Sequence, residues 1–287
     1  MISQFPKISA VYYGLLQTGY SFYTFERSTE HINEIQAHCK TEQSFVFFSK
    51  ARQSTCEVYP YWPRAFIMEA ATFSLNNSTT AFQDFGRFRQ KIMSAGNITE
   101  KERDDSLWNW LADFPQALNS VLAEDSFSEY LKWEKKWISE QNDIYREELY
   151  LIQKCLEICT DLYRSPVRTI RICINPIKCV YSSDYHLIGD CFIFSSGEFR
   201  TDSIIHEFLH HVVHPYIEQQ KALVVTYGHV NSEIDKSYYL SENDAGLINA
   251  FEETVVRSLT KEILKGKYPE SLSDYIGFFL TQKQSGE

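Results

Sequence analysis

Residues 206 to 210 read His-Glu-Phe-Leu-His, two imidazoles four positions apart with a carboxylate beside the first. On an α-helix, positions four apart lie one above the other on nearly the same face. Two imidazoles placed in this way can grip one divalent ion from one side and leave its other side open. Glu207 then stands beside a water that the ion acidifies, and can take its proton. Catalytic zinc sites usually take three protein ligands plus water, so this reading demands a third ligand elsewhere in the chain.

The neighbouring histidines do not supply it. His214 lies about 12 Å beyond His206 along a helix axis, at roughly 1.5 Å per residue, too far for two bonds near ~2.1 Å to one ion. His211 points about 100° away from His210. Six residues after His210, where the metzincin pattern has its third ligand, stands Tyr216. The remaining candidates are Glu252 and Glu253, inside Ala250-Phe251-Glu252-Glu253-Thr254-Val255-Val256. Two acids in an apolar helical run are odd unless one of them has a partner. The stripe Ile248, Phe251, Val255, Leu259 puts Glu252 nearer its centre.

With these residues in view, the chain resembles the gluzincins, zinc peptidases such as thermolysin and many aminopeptidases. In them a glutamate on a helix downstream of H-E-x-x-H completes the site. That glutamate typically has apolar residues two before and two after it. Phe251 and Val255 hold those places for Glu253, Ala250 and Thr254 for Glu252. The resemblance therefore implies Zn2+ held by His206, His210 and Glu253, with Glu252 kept open by the stripe. It also implies Glu207 as general base and a peptide or protein as substrate. Arg257, one turn past Glu253, can pair with that carboxylate or form a surface salt bridge. Tyr227, His229, Tyr238 and Tyr239 are candidates for the second oxyanion donor. The likeness spans about residues 167 to 264. It extends to a little-characterised group of bacterial metallopeptidases in which a helical N-terminal region precedes an H-E-F-x-H helix ending in proline. The gap from His210 to Glu253 is longer than in thermolysin, and the glycine-rich substrate signature of many aminopeptidases is missing. The rival reading is a helical binding or interaction protein whose metal site is structural or empty.

These residues need rigid elements behind them. Ile204, Ile205, Phe208, Leu209, Val212 and Val213 give the motif helix its apolar frame, and Thr201, Asp202 and Ser203 offer caps. Pro215 ends that run, with 216 to 240 as a partly ordered connection. Ser241 to Lys265 predicts the glutamate helix, with Gly266 as its stop, and Pro269 to about Gln282 a last one. Upstream, Val167 to Ile174 alternates and is β-branched, a strand. Tyr185 to Ser195 reads as a second strand, broken or bulged at Gly189-Asp190. Such a sheet offers a free edge that an extended peptide can join.

Residues 1 to 165 read as helical and carry no chemical motif. Segments 8–16, 28–39, 44–50, 62–75 and 79–93 are helical, 97–105 is polar and charged, an exposed loop or the start of the next helix, and Pro115 kinks or breaks 106–123. The longest pattern, Ser126 to about Arg164, carries Phe127, Tyr130, Trp133 and Trp137 as a packing stripe. The expected class is α+β, mostly α. A helical region 1–165 precedes a zincin-like catalytic region 166–287, and the two can pack as one unit.

Composition bounds the partners. In 287 residues, 44% hydrophobic content can bury real cores, while 11 Gly and 8 Pro argue against a turn-rich all-β fold. A formal charge of -10 speaks against nucleic acid or an anionic membrane as main partner. Seven irregularly spaced cysteines and no secretory signal fit reduced thiols and a cytoplasmic location.

Overall fold

The computed structural model describes residues 1–16, 29–38, 62–75, 113–178, 180, 183–228 and 244–281. The helices expected over 44–50 and 79–93, and the segment 97–105, lie outside them. The described elements are α1 (Pro6–Leu16), α2 (Thr29–Ala37), α3 (Trp62–Ser74), α4 (Phe114–Leu122), α5 (Asp125–Ile144) and α6 (Arg146–Leu162). Then come β1 (Thr169–Ile174), β2 (Asp184–Ile188), β3 (Cys191–Ser196), α7 (Thr201–Gly228), α8 (Asp244–Leu264) and α9 (Leu272–Thr281). The described residues are mostly helical with one small three-stranded sheet, the expected α+β class. Among the described residues no helix is long and apolar enough to cross a membrane.

Two compact units form, with boundaries that differ from the division expected near 165. One holds Met1–Arg146 with Arg171–Phe199, the other Glu147–Ile170 with Arg200–Glu287. The sheet thus belongs with the N-terminal helices.

In the first unit α1 is buried at every position from Ile8 to Leu15, as a helix apolar all round must be. It packs against α3, α4 and α5. Pro115 sits in the first turn of α4, where its missing N–H has no partner to lose, so it starts a helix where the sequence suggested a break. The long pattern from Ser126 is two helices, α5 and α6, parted at Tyr145, whose ring stacks on Phe199 at 4.3 Å. The expected bulged strand is a hairpin instead. Ile188 pairs with Cys191 across Gly189-Asp190, with Gly189 at φ 60°. A two-residue turn with positive φ at its first central position favours glycine there. β3 lies between β1 and β2, and Ile2 bridges to Ile172 on β1.

Beneath the sheet lies a buried ionic cluster. Lys178 Nζ donates to Asp184 at 2.7 Å and to Glu69 at 3.1 Å, and Glu69 also meets His186 Nε2 at 3.1 Å. Burial alone would raise the Glu69 carboxyl, but Lys178 and His186 outweigh it and hold its pKa at about 2. Such a cluster ties α3 to the hairpin, because removing one member strands the others without a partner.

In the second unit α7 and α8 pack along each other, with α9 against α7. Ile204, Ile205, Phe208, Leu209, Val212 and Val213 are all buried, as the sequence pattern required. The helix does not end at Pro215. It runs on to Gly228 with the proline inside it. A proline there forfeits one backbone bond and costs roughly 3 kcal/mol. Ile217 and Val224, both 0% exposed beyond it, offset this at about 1.5–3 kcal/mol each. The three offered caps form the first turn instead, where Asp202 meets the positive end of the helix dipole. α8 stops as expected. Gly266 takes φ 75°, its N–H bonds to Ile263 O, and the Lys267 N–H bonds to Glu262 O, a Schellman closure. The proposed cap Ser241 lies outside the described residues.

Candidate metal centre

His206 and His210 project from one face of α7, and α8 lies alongside to bring an acidic pair to them. Their Nε2 atoms are 3.1 Å apart. Glu253 Oε1 is 3.2 Å from His210 Nε2, and its Oε2 is 3.5 Å from His206 Nε2. Donors bound tetrahedrally to one zinc at about 2.1 Å lie about 3.4 Å from one another. The three observed separations bracket that figure. The ligand-capable atoms of His206, His210 and Glu253 all fall within 4.8 Å of one another. Two nitrogens and one carboxylate oxygen are also a donor set that suits zinc. The residues present therefore fit the ion.

Glu252 does something different. Its side chain is 12% exposed, against 21% for that of Glu253. Its two oxygens accept from two histidines. Oε1 lies 2.8 Å from His210 Nδ1, and Oε2 lies 2.8 Å from His214 Nδ1. Successive helical residues point about 100° apart, so one acid faces the two Nε2 atoms and its neighbour faces the back of His210. A carboxylate on Nδ1 fixes that nitrogen as the protonated one and leaves the Nε2 lone pair to a metal.

Electrostatics agree with this division. Burial works against a charged His210, but Glu252, Glu253 and Glu207 outweigh it and hold its pKa at about 10. For His206 burial prevails, and the ring titrates below the ordinary histidine range. Both glutamates are pulled below the usual carboxylate range by the imidazoles facing them, against the opposing effect of burial. Carboxylates that bind a proton this firmly on His210 attract a dication to the same place for the same reason.

Glu207 is half-buried on α7 next to His206, and its charge is felt at His210. Arg257 Nε reaches Glu253 Oε2 at 3.2 Å with the arginine side chain half exposed. His211 turns away, its Nε2 3.0 Å from Ser165 Oγ. Of the oxyanion candidates, His229, Tyr238 and Tyr239 lie outside the described residues, and only the backbone of Tyr227 is described.

Sequence reasoning sets His214 aside as a ligand, and the structure places its Nδ1 2.8 Å from Glu252 Oε2. What it missed is that His214 meets the site through Glu252. The signal was present as two histidines four apart on one helix and two adjacent acids on another. Only the pairing of α7 with α8 shows which acid faces which ring. Comparison with protein-family models, curated proteins and solved structures finds no match to this chain.

Proposed function

We propose that this chain is a zinc-dependent metallopeptidase of gluzincin type, with His206, His210 and Glu253 as ligands and Glu207 as general base. The single observation that carries the reading is the convergence of two Nε2 atoms and one carboxylate from two helices on one point. Zinc held there supplies Lewis acidity toward a carbonyl and acidifies water. Glu207 takes the proton of the water that attacks the scissile peptide carbonyl and returns it to the departing amine. Glu252 keeps the His210 Nδ1 occupied, so that its Nε2 stays available. The side chains of His206 and Glu253 keep 17% and 21% of their surface exposed, so the site reaches solvent. A purely structural zinc takes four protein ligands, and the group has three among the described residues, which favours the catalytic reading.

Metal content and hydrolysis test it together. The purified protein should take up one zinc, and both His206→Ala and His210→Ala should lose it. Glu207→Gln should keep the zinc and stop cleavage of a peptide library read by mass spectrometry. Loss of zinc in Glu207→Gln would show that the roles are misassigned.

A further inference from the structure

Resting on that zinc site, we infer that His214 is a positioning residue for the metal centre, acting through Glu252. His214 stands four residues after His210 on α7, so both rings face the same stretch of α8. Between them lies one carboxylate, each oxygen taken by one Nδ1 at 2.8 Å. The last torsion of a glutamate is broad and nearly free in the absence of partners. A donor on only one oxygen leaves that rotation open. Donors on both sides, held by one rigid helix, leave a single orientation, the one that presents Oε1 to His210.

The consequence reaches the ion through a short chain of contacts. His214 orients Glu252, Glu252 fixes the tautomer and tilt of His210, and His210 offers its Nε2 beside the Nε2 of His206 and the carboxylate of Glu253. Partners just outside a metal's ligands typically change affinity by about 10–100-fold when removed. His214 stands one contact further out and is half exposed. Water can replace part of its bond, so a smaller effect, about threefold to tenfold, follows for His214 itself. The competing view is a surface ion pair with no bearing on metal, the usual worth of such pairs being small.

Competition for zinc against a chelator of known affinity separates the two. His214→Ala should weaken zinc binding by about threefold to tenfold, and His214→Asn should recover it, since the asparagine amide nitrogen sits where Nδ1 sits. In a Glu252→Ala background, His214→Ala should change nothing further, as a residue acting through Glu252 must. The His210 Nδ1–H resonance should also broaden in His214→Ala as its acceptor loosens. Unchanged zinc affinity in His214→Ala would overturn the inference, and so would an equal loss with and without Glu252. If Glu252→Ala does not fold, the alanine and asparagine pair at 214 decides alone. Zinc uptake indifferent to His206→Ala would overturn the metal site itself, and this inference with it.

Discussion

Glu134 offers a measurable test of the electrostatics of the first unit. Its side chain is 1% exposed on α5, with no cation among its hydrogen-bond partners. Gln4 Nε2 donates to it at 2.8 Å, Ser9 Oγ lies at 2.8 Å, and Tyr130 OH donates at 3.2 Å. Burial raises its pKa from the ordinary 4.5 to about 7, and these neutral donors recover only part. The protonated form has an outlet. Glu134 can donate to Ser9 Oγ while Ser9 donates to Phe5 O at 3.2 Å. The sign follows from proton counting. Between 4.5 and about 7 the folded protein holds a proton that the unfolded chain has released. Stability is therefore full below the lower value and falls as pH rises through the window. At about 1.4 kcal/mol per pH unit, the total loss is roughly 3 kcal/mol. Urea unfolding followed by tryptophan fluorescence reports on this helix, since Trp133 and Trp137 flank Glu134. The stability difference between wild type and Glu134→Gln should shift by roughly 3 kcal/mol from pH 4.5 to 8, in favour of the variant at the upper end. A difference that stays constant within about 0.5 kcal/mol would refute the argument and mean that the donors alone hold Glu134 ionised.

Three further outcomes follow from the second unit. Glu253→Ala should cost zinc affinity more than the roughly 10–100-fold expected of Glu252→Ala in calorimetry, and the reverse order would exchange their roles. Zinc at about 100 times its dissociation constant should add about 2.7 kcal/mol to the stability of the wild type and nothing to His210→Ala, read as a shift in melting temperature. Pro215→Ala restores a backbone donor on an exposed stretch of α7 and should stabilise the helix by roughly 1–3 kcal/mol, whereas a loss in urea melts would mean the proline is specifically accommodated.

How much of this was legible in the sequence depended on the range of the interaction. The histidine-bearing half of α7 was readable because its apolar frame is local and periodic, and Gly266 announced the end of α8 for a similar reason. The hairpin is ambiguous in the sequence because Gly189-Asp190 fits a break or bulge in one strand, while a glycine leading a two-residue break also marks a tight turn. Pro215 was misread because a local rule met a stronger tertiary term, the apolar face that continues through Ile217 and Val224. The cluster of Glu69, Lys178, Asp184 and His186 was out of reach. Lys178, Asp184 and His186 lie close together in sequence, but Glu69 comes from α3 far upstream, and each alone looks like a surface residue. Glu134 was hidden in the same way, an acid inside a stripe whose aromatic neighbours drew the attention.

The acidic pair on α8 shows why two sound sequence arguments can point to different residues. The hydrophobic stripe picked Glu252 as the more inward of the two, and it is. The flanking pattern picked Glu253 as the residue facing the histidines, and that is where it stands. As arguments for the third ligand the two compete, and Glu253 is the acid that stands within 3.5 Å of both Nε2 atoms. A ligand to a working ion must stay partly open, because the ion has to meet solvent and substrate, so burial selects against it. The carboxylate behind a ligand histidine has the opposite need, since a dry setting keeps water from competing for its bonds. In the proposed zinc site, adjacent positions on one helix, about 100° apart, would meet both needs at once.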